Sequence, residues 1–421
     1  MSEPPPGIVR RHLEDAVREL LQEEPVLILN GARTVGKSTL MRACATRAGV
    51  RVLDLDDLET RAAVLADPTL FVSSSAEPVC IDEYQHVRPL LDAIKAELNR
   101  DLRPGRYLLT GSTRYASLPR ASQSLAGRAH VVTMWPLSQG ELRGRKETFL
   151  DTLMSDPNQL VRLTASSTTR EEYESVVLRG GFPLALQREN GARARWFGDL
   201  VNLVIERDVL QIRKVRQRNV LPQILQRLAG QTGQLLVTAK VASLLGLDGK
   251  TVGDFIQLLE SVFLVHRLEA YGRTLSSRVV HAPKVHMVDS GLAAYLLRIT
   301  PQRLAARSPA TLTEFGHVLE TFAINEVLKQ AGWAKASVTF SHFRTRDGQE
   351  VDLVCETGDG RVAGLEIKSA GNVTSADVSG LRTLRTKMGE DFAAGVVLYL
   401  GQLSYTLEDR IHAVPLDALW N

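Results

Sequence analysis

At 421 residues the chain exceeds what one hydrophobic core sustains, so about two to four domains are expected. A hydrophobic fraction of 44% with 24% charged residues is that of a soluble globular protein. The net charge of +3 excludes a global field for nucleic acid, so any basic patch must be local. Cys44, Cys80 and Cys355 fit no metal or redox spacing and read as buried small side chains in a reducing compartment.

The opening MSEPPPGIVRRHLEDAVRELL has no apolar leader core. It reads as a proline-rich entry into an amphipathic helix, with Ile8, Val9, Leu13, Val17 and Leu20 on one face, and forms segment 1–24. No apolar run approaches the roughly 20 residues that cross a bilayer. No membrane partner is therefore expected, and the cytoplasm is the expected compartment.

Residues 25–144 alternate short apolar runs with helical stretches. The strand-like runs are VLILNGA (26–32), RVLDLDD (51–57), PVCIDE (78–83), RYLLTGS (106–112) and HVVTMW (130–135). That alternation predicts an α/β domain, a parallel sheet covered by helices. Residues 145–237 read as helical and carry a basic cluster of Arg207, Arg213, Lys214, Arg216 and Arg218. Residues 238–310 read as a winged helix, with helices TAKVASLLG and GKTVGDFIQLLESV and strands FLVHRLEAYG, RVVHA and KVHMV. Asp289-Ser290 is placed to cap the following helix, GLAAYLL. Residues 311–421 read as an α-β-β-β-α-β unit: a long helix, strands VTFSHFR, QEVDLVCE and RVAGLEIKSA, helix SADVSGLRTLRTKM and strand AAGVVLYLG.

The chemistry is concentrated early. Gly31-Ala32-Arg33-Thr34-Val35-Gly36-Lys37-Ser38, followed by Thr39, matches G-x-x-x-x-G-K-[ST] at every fixed position, between a buried strand and a helix. Glycines let the backbone turn tightly and aim N–H groups at phosphate oxygens, and the helix N-terminus adds its positive dipole end. Lys37 supplies charge to the β and γ phosphates of ATP, and the Ser38 hydroxyl ligates Mg2+. The apolar strand ending in Asp82-Glu83 supplies the second half: Asp82 for the metal, Glu83 to polarise the attacking water. In LLTGS, Thr110 or Ser112 is placed to sense the γ-phosphate, and the sequence does not separate them. Arg128 in LAGRAH is a candidate arginine finger, and Arg33 a weaker one.

These segments carry a resemblance. GARTVGKSTL, CIDEYQ, LLTGS, LAGR with WPLS, LRGGFP, ERDV, KTVGDFIQLLESVFLV, VDSGLAAYLL, and EVDLV with LEIKSA are together similar to a bacterial and archaeal family of AAA-type ATPases. The resemblance covers nearly the whole chain. It implies a P-loop ATPase domain, a helical and winged-helix middle and a C-terminal restriction-endonuclease-like α/β domain. LRGGFP and VDSGL are expected to serve turns and packing.

Asp352 sits in QEVDLV, and Glu366 and Lys368 sit two apart in LEIKSA, on one face of their strand. If Asp352 shares that face, a carboxylate pair with an adjacent lysine results, resembling the D…E-x-K signature of restriction-like nucleases. Asp352 and Glu366 would hold Mg2+ or Mn2+, Glu320 on the preceding helix would add a third carboxylate, and Lys368 would orient or deprotonate water. Residues 311–421 hold 10 Lys/Arg against 15 Asp/Glu, a net of −5, so DNA or RNA would need positive charge from elsewhere, such as the cluster around 213–218. The second winged-helix segment offers only Lys250 and Gln257 against Asp254 and Glu260, which argues against reading bases in the major groove.

The expectation is an ATP- and Mg2+-dependent ATPase coupled to a nuclease-like domain acting on nucleic acid. The alternative is a nucleotide-dependent switch that binds a protein partner and uses the C-terminal fold for docking. An Arg128 acting in trans would imply a homo-oligomer. A transcription regulator is disfavoured by the acidic helix.

Overall fold

The structure is a computed structural model and describes residues 8–73, 77–114, 125–209, 212, 218–272 and 282–421. The expected strand RVVHA and the basic residues Arg213, Lys214 and Arg216 lie outside or at the margin of the described residues. The chain divides into two compact units: Met1–Leu137 with Leu200–Arg218 and Gln257–Leu264, and Ser138–Asp199 with Asn219–Ile256 and Val265–Asn421.

All five strands expected in the first unit form. They are β1 (Val26–Asn30), β2 (Val52–Asp54), β3 (Val79–Asp82), β4 (Tyr107–Gly111) and β5 (Ala129–Thr133). They pair in parallel in the order β2-β3-β4-β1-β5. Val26, Ile28, Ile81 and Leu109 pack with Leu90, Leu91, Ile94 and Leu98 of the helix Pro89–Arg100, all buried. A buried leucine of this kind contributes about 1.5–3 kcal/mol. Because the strands are parallel, their C-terminal ends lie on one edge, where ligands bind in such sheets.

The second unit holds two sheets. β6 (Gln234–Leu235), β7 (Val265–Leu268) and β8 (Lys284–Met287) pair antiparallel in the order β6-β8-β7. The helices Thr238–Leu245 and Gly249–Ser261 precede β7. A six-stranded mixed sheet runs β13-β14-β12-β11-β10-β9, built from β9 (Val338–Arg344), β10 (Glu350–Thr357), β11 (Val362–Lys368), β12 (Phe392–Tyr399), β13 (Tyr405–Glu408) and β14 (Ile411–Pro415). The expected α-β-β-β-α-β order is present, opened by the helix Pro309–Gln330 and completed by the helix Ser379–Met388 before β12. The terminal hairpin β13–β14 is an addition to the expected order. Leu381 and Leu384 pack on Val351, Val354 and Val397 in its core. The edge of β9 meets the end of β7, where His342 N–H donates to the Glu269 carbonyl and Tyr271 N–H to the His342 carbonyl.

The segments LRGGFP and VDSGL, expected to serve turns and packing, meet. Asp289 caps the helix Ser290–Leu297 through the Leu292 N–H and also accepts from the Gly181 N–H at 2.7 Å. A Cβ on Gly180 would lie 2.2 Å from the Asp289 carboxylate, so this packing requires glycine.

Candidate functional site

In the first unit, β1 ends at Asn30 and the chain turns through Gly31–Gly36 into the helix Lys37–Ala48. Gly36 has φ of 99° and Thr34 of 65°, and the helix begins without a side-chain cap. Its first amides are therefore oriented as an anion site needs. Gly31 is required for a further reason: a Cβ there would lie 2.3 Å from the Met134 carbonyl oxygen. Lys37 is buried and its ammonium donates to the carbonyls of Gly31 and Ala32 at 3.0 and 2.9 Å. Burial pushes its pKa down, and Arg33 adds to that.

Asp82 ends β3, beside β4. Its carboxylate accepts from the hydroxyls of Thr110 and Ser38, and burial pushes its pKa up against those two bonds. Glu83 follows in the left-handed region at φ 55° and its N–H donates to Thr110 Oγ1 at 3.3 Å. Its Oε2 accepts from Gln85 and, at 3.2 Å, from Ser112. Thr110 and Ser112, indistinguishable in sequence, thus serve different carboxylates. Oxygen donors Ser38 and Asp82, set beside the phosphate loop, are the donor set that magnesium takes, so the residues present fit a Mg2+–nucleotide.

The two arginine candidates are placed elsewhere. Arg33 is paired with Asp208 at 3.0 and 2.6 Å, and that bond raises its pKa. Arg128 precedes β5, so it lies at the N-terminal edge of the sheet, opposite the phosphate loop of its own chain. There it donates to Asn99 Oδ1 at 2.6 Å. Three residues that sequence reasoning missed support the site. Gln85 holds Glu83, Asp208 holds Arg33, and Arg11 donates to the Val35 carbonyl at 2.7 Å and the Trp135 carbonyl at 2.8 Å. Gln85 and Asp208 had a signal, since they fall in the quoted segments CIDEYQ and ERDV.

In the second unit, the Leu353–Leu365 pairing puts Asp352 opposite Glu366 on the next step of the β10–β11 ladder. Directly opposed side chains share a face with Cβ atoms about 5 Å apart. Asp352 Oδ2 accepts from the Ile367 N–H at 2.9 Å, and Lys368 Nζ donates to Glu366 Oε1 at 2.7 Å. Glu366 Oε2 is buried with no hydrogen-bond partner. Burial and Asp352 push the Glu366 carboxyl up to about 8, against Lys368. These residues, with Glu320, Glu350 and Asp377, line a cavity of about 680 Å3.

The expected trio Glu320, Asp352 and Glu366 does not form a metal cage. Among the described residues no three acidic, histidine or cysteine side chains converge as one. The reason is Lys284 on β8, whose ammonium contacts Glu320 Oε1 at 2.8 Å, Asp352 Oδ1 at 2.9 Å and Glu350 Oε1 at 2.6 Å. Its side chain is 1% exposed. Burial opposes its charge, yet the three carboxylates hold it well above the usual lysine range. Glu366, opposite Asp352, is left with a buried carboxylate oxygen that has no hydrogen-bond partner. Nothing in the sequence spacing links Lys284, which opens the strand KVHM, to Asp352.

The three cysteines are free. Burial pushes the Cys44 and Cys80 thiols up to about 11 and about 12, so neither is a ready thiolate. Among the described residues no helix is long and apolar enough to cross a membrane.

The sheet order, the phosphate loop and the Asp82 strand define an AAA-type P-loop nucleotide-binding domain. Residues 23–143 match the family model described as an AAA domain. Residues 170–303 and 315–419 match two domains of unknown function, DUF8612 and DUF4143. Among curated proteins, the uncharacterized protein Rv2008c of Mycobacterium tuberculosis is 28% identical over 414 residues, 98% of this chain and 85% of its own length. Mb2031c of Mycobacterium bovis gives the same figures. An uncharacterized protein of Haemophilus influenzae is 23% identical over 52% of each chain. Among solved structures, the Thermotoga maritima RuvB Holliday junction branch migration motor aligns over 61% of this chain and 88% of its own, at 15% identity and a TM-score of 0.29.

Proposed function

We propose that the protein is a Mg2+-dependent ATPase whose turnover is coupled to a nuclease-like C-terminal site acting on nucleic acid. The observation that carries the ATPase reading is the convergence of Lys37, Ser38, Asp82 and Glu83 on one sheet edge, with Glu83 fixed by Gln85 and Ser112. The Lys37 ammonium exchanges two backbone carbonyls for phosphate oxygens, which restores the charge that burial opposes. Backbone N–H groups from Gly31 to Thr39 orient the phosphates. Magnesium, held by Ser38 and Asp82, neutralises phosphate charge when bound. Glu83 accepts a hydrogen bond from the attacking water and aims it at the γ-phosphorus, while Thr110 holds Asp82. Arg33 is held by Asp208, and Arg128 lies at the sheet edge opposite the phosphate loop, so Arg128 would act from a second copy.

ATP turnover tests this reading. Glu83→Gln should keep ATP affinity within about threefold and lower kcat about 100-fold or more. Lys37→Ala should abolish ATP uptake by folded protein. An unchanged affinity in Lys37→Ala would sink the assignment.

The nuclease-like reading is supported by Asp352 opposite Glu366 with Lys368 alongside. Incubation with DNA or RNA, ATP and Mg2+ or Mn2+ should show cutting that Lys368→Ala loses. A second reading, a nucleotide-dependent switch that docks a protein partner through an inactive C-terminal fold, is favoured by Lys284. Its ammonium already neutralises part of the carboxylate cluster. ATPase stimulation by protein but not by nucleic acid would select it.

A further inference from the structure

The carboxylates around Glu320 and Asp352 raise a charge question that the D…E-x-K pattern does not answer. Glu320, Glu350, Asp352, Glu366 and Asp377 line the cavity together with Lys368 and Arg344. Arg344 pairs with Glu350 at 2.8 Å, and Lys368 lies 2.7 Å from Glu366 and 3.9 Å from Asp377. Lys284 sits beneath them, touching three carboxylates within 2.9 Å. With every carboxylate ionised, five carboxylates face three cations, a formal net of −2 that one divalent ion would balance.

The geometry divides the cluster in two. Glu320, Glu350 and Asp352 Oδ1 surround the Lys284 ammonium, so the first position is filled from within the chain. Glu366 lines the cavity and its Oε2 is buried without a hydrogen-bond partner, so the second position has an open ligand. A carboxylate oxygen without a partner at such depth costs free energy that a cation would recover. A compact ammonium with three donors substitutes for a small metal ion among oxygen ligands.

We propose that Lys284 is a built-in cation that holds one of two cation positions in this cavity, so that the site takes a single divalent ion, at the Asp352–Glu366 pair, and not two. The inference rests on the metal-binding part of the nuclease-like reading and deepens it. It makes the site one in which the second cation is fixed, cannot leave and needs no supply. Lys284 is a positioning residue in this scheme. It fixes Asp352 Oδ1 while the Ile367 N–H fixes Oδ2, so the Asp352 carboxylate is held in place opposite Glu366.

The test is Mn2+ stoichiometry by electron paramagnetic resonance, with thermal midpoints, on the full chain without nucleotide. A Ser38→Ala background removes the phosphate loop's own metal-ligating hydroxyl. The chain with Lys284 should bind one Mn2+, and Lys284→Met should bind two. Lys284→Met should also have a lowered midpoint that Mn2+ raises more than it raises that of the Lys284 protein. Glu366→Gln in the Lys284 protein should lose the single ion. Two ions bound with Lys284 present, or one still bound by folded Lys284→Met, would overturn the proposal while leaving the metal reading intact. No ion in either protein would overturn both. If Lys284→Met fails to fold, Lys284→Gln takes its place, since it keeps N–H donors toward the carboxylates without the charge. The same stoichiometries decide the outcome.

Discussion

Arg33, inside the phosphate loop, is tied to Asp208 by two parallel hydrogen bonds of 3.0 and 2.6 Å. Asp208 lies in the π-helical turn Val204–Val209, and its side chain is 2% exposed against 13% for Arg33. A fork of this kind is specific in geometry as well as strong. It gives the segment ERDV a structural role: Asp208 anchors the phosphate loop through Arg33. Removing one partner of a buried pair costs far more than removing both. Asp208→Ala should therefore destabilise the chain by about 3 kcal/mol in urea unfolding, and Arg33→Met combined with Asp208→Leu should recover most of that loss. If the double variant is as unstable as the sum of the singles, the two residues are not coupled.

Thr110 and Ser112 provide a second test, because each contacts a different carboxylate. Thr110 donates to Asp82, which is placed to hold the metal, and Ser112 donates to Glu83, which is placed to orient water. A single hydrogen bond contributes about 0.5–1.5 kcal/mol, or about threefold to tenfold. Thr110→Val should raise the Mg2+ concentration needed for half-maximal turnover by about that factor. Ser112→Ala should lower kcat by a similar factor at saturating Mg2+ and leave that concentration unchanged. Identical profiles from the two variants would contradict the division of roles.

The sequence made the nucleotide site legible because its chemistry is local. Eight consecutive residues turn the backbone, and a strand of three apolar residues before Asp82 announces its own burial. All five strands of the first sheet were readable for the same reason: each is a short apolar run between helical stretches. The C-terminal site was legible only in part. Asp352, Glu366 and Lys368 stand within one hairpin, so their shared face follows from the twofold strand period. Lys284 and Glu320 come to Asp352 from separate elements, and pairing at such distance leaves no spacing to read. Lys284 also lies in the stretch whose pattern reads as a winged helix, where a lysine at a strand end is expected at the surface. The β13–β14 hairpin is not legible because SYTLEDRIHAVP puts the charges Glu408, Asp409 and Arg410 in one run across the end of β13 and the turn, and it turns at Arg410, which takes φ 55° without glycine.

His342 predicts a loss of stability in mild acid. It is fully buried on β9, and its Nε2–H donates to the Ala282 carbonyl at 3.1 Å, which leaves Nδ1 buried without a partner. Burial and the nearby Lys284 push its pKa from 6.5 down to about 4, with Arg344 in the same sense and Glu350 opposing. Above pH 6.5 the imidazole is neutral in both folded and unfolded chains and contributes no pH dependence. As pH falls from 6.5 toward 4, only the unfolded chain takes up the proton, so stability is lost across that window. The loss attributable to this residue is at most about 3 kcal/mol. The difference in unfolding free energy between the parent and His342→Gln should therefore change progressively between pH 6.5 and 4 and level off below. A difference that is flat across that range would remove His342 as the cause.

Gly380 should be the least replaceable glycine of the second unit. It opens the helix Ser379–Met388, and a Cβ built there would lie 1.7 Å from the Glu350 carbonyl oxygen. That atom belongs to the backbone of β10, whose register also sets Asp352, so it cannot rotate aside as a side-chain tip would. Relief requires the helix to lift from the sheet, uncovering Leu381 and Leu384. Gly380→Ala should cost about 3 kcal/mol or more. Gly253 is the matched control. It is exposed in the interior of the helix Gly249–Ser261, and a Cβ there would meet nothing within 4 Å. Alanine at that position gains helix propensity and should stabilise the chain by about 0.5–1 kcal/mol. The two substitutions add the same methyl group, so their opposite signs in urea unfolding would isolate the close approach to Glu350 as the cause. A Gly380→Ala protein as stable as the parent would mean that the helix does not dock on β10 at this distance.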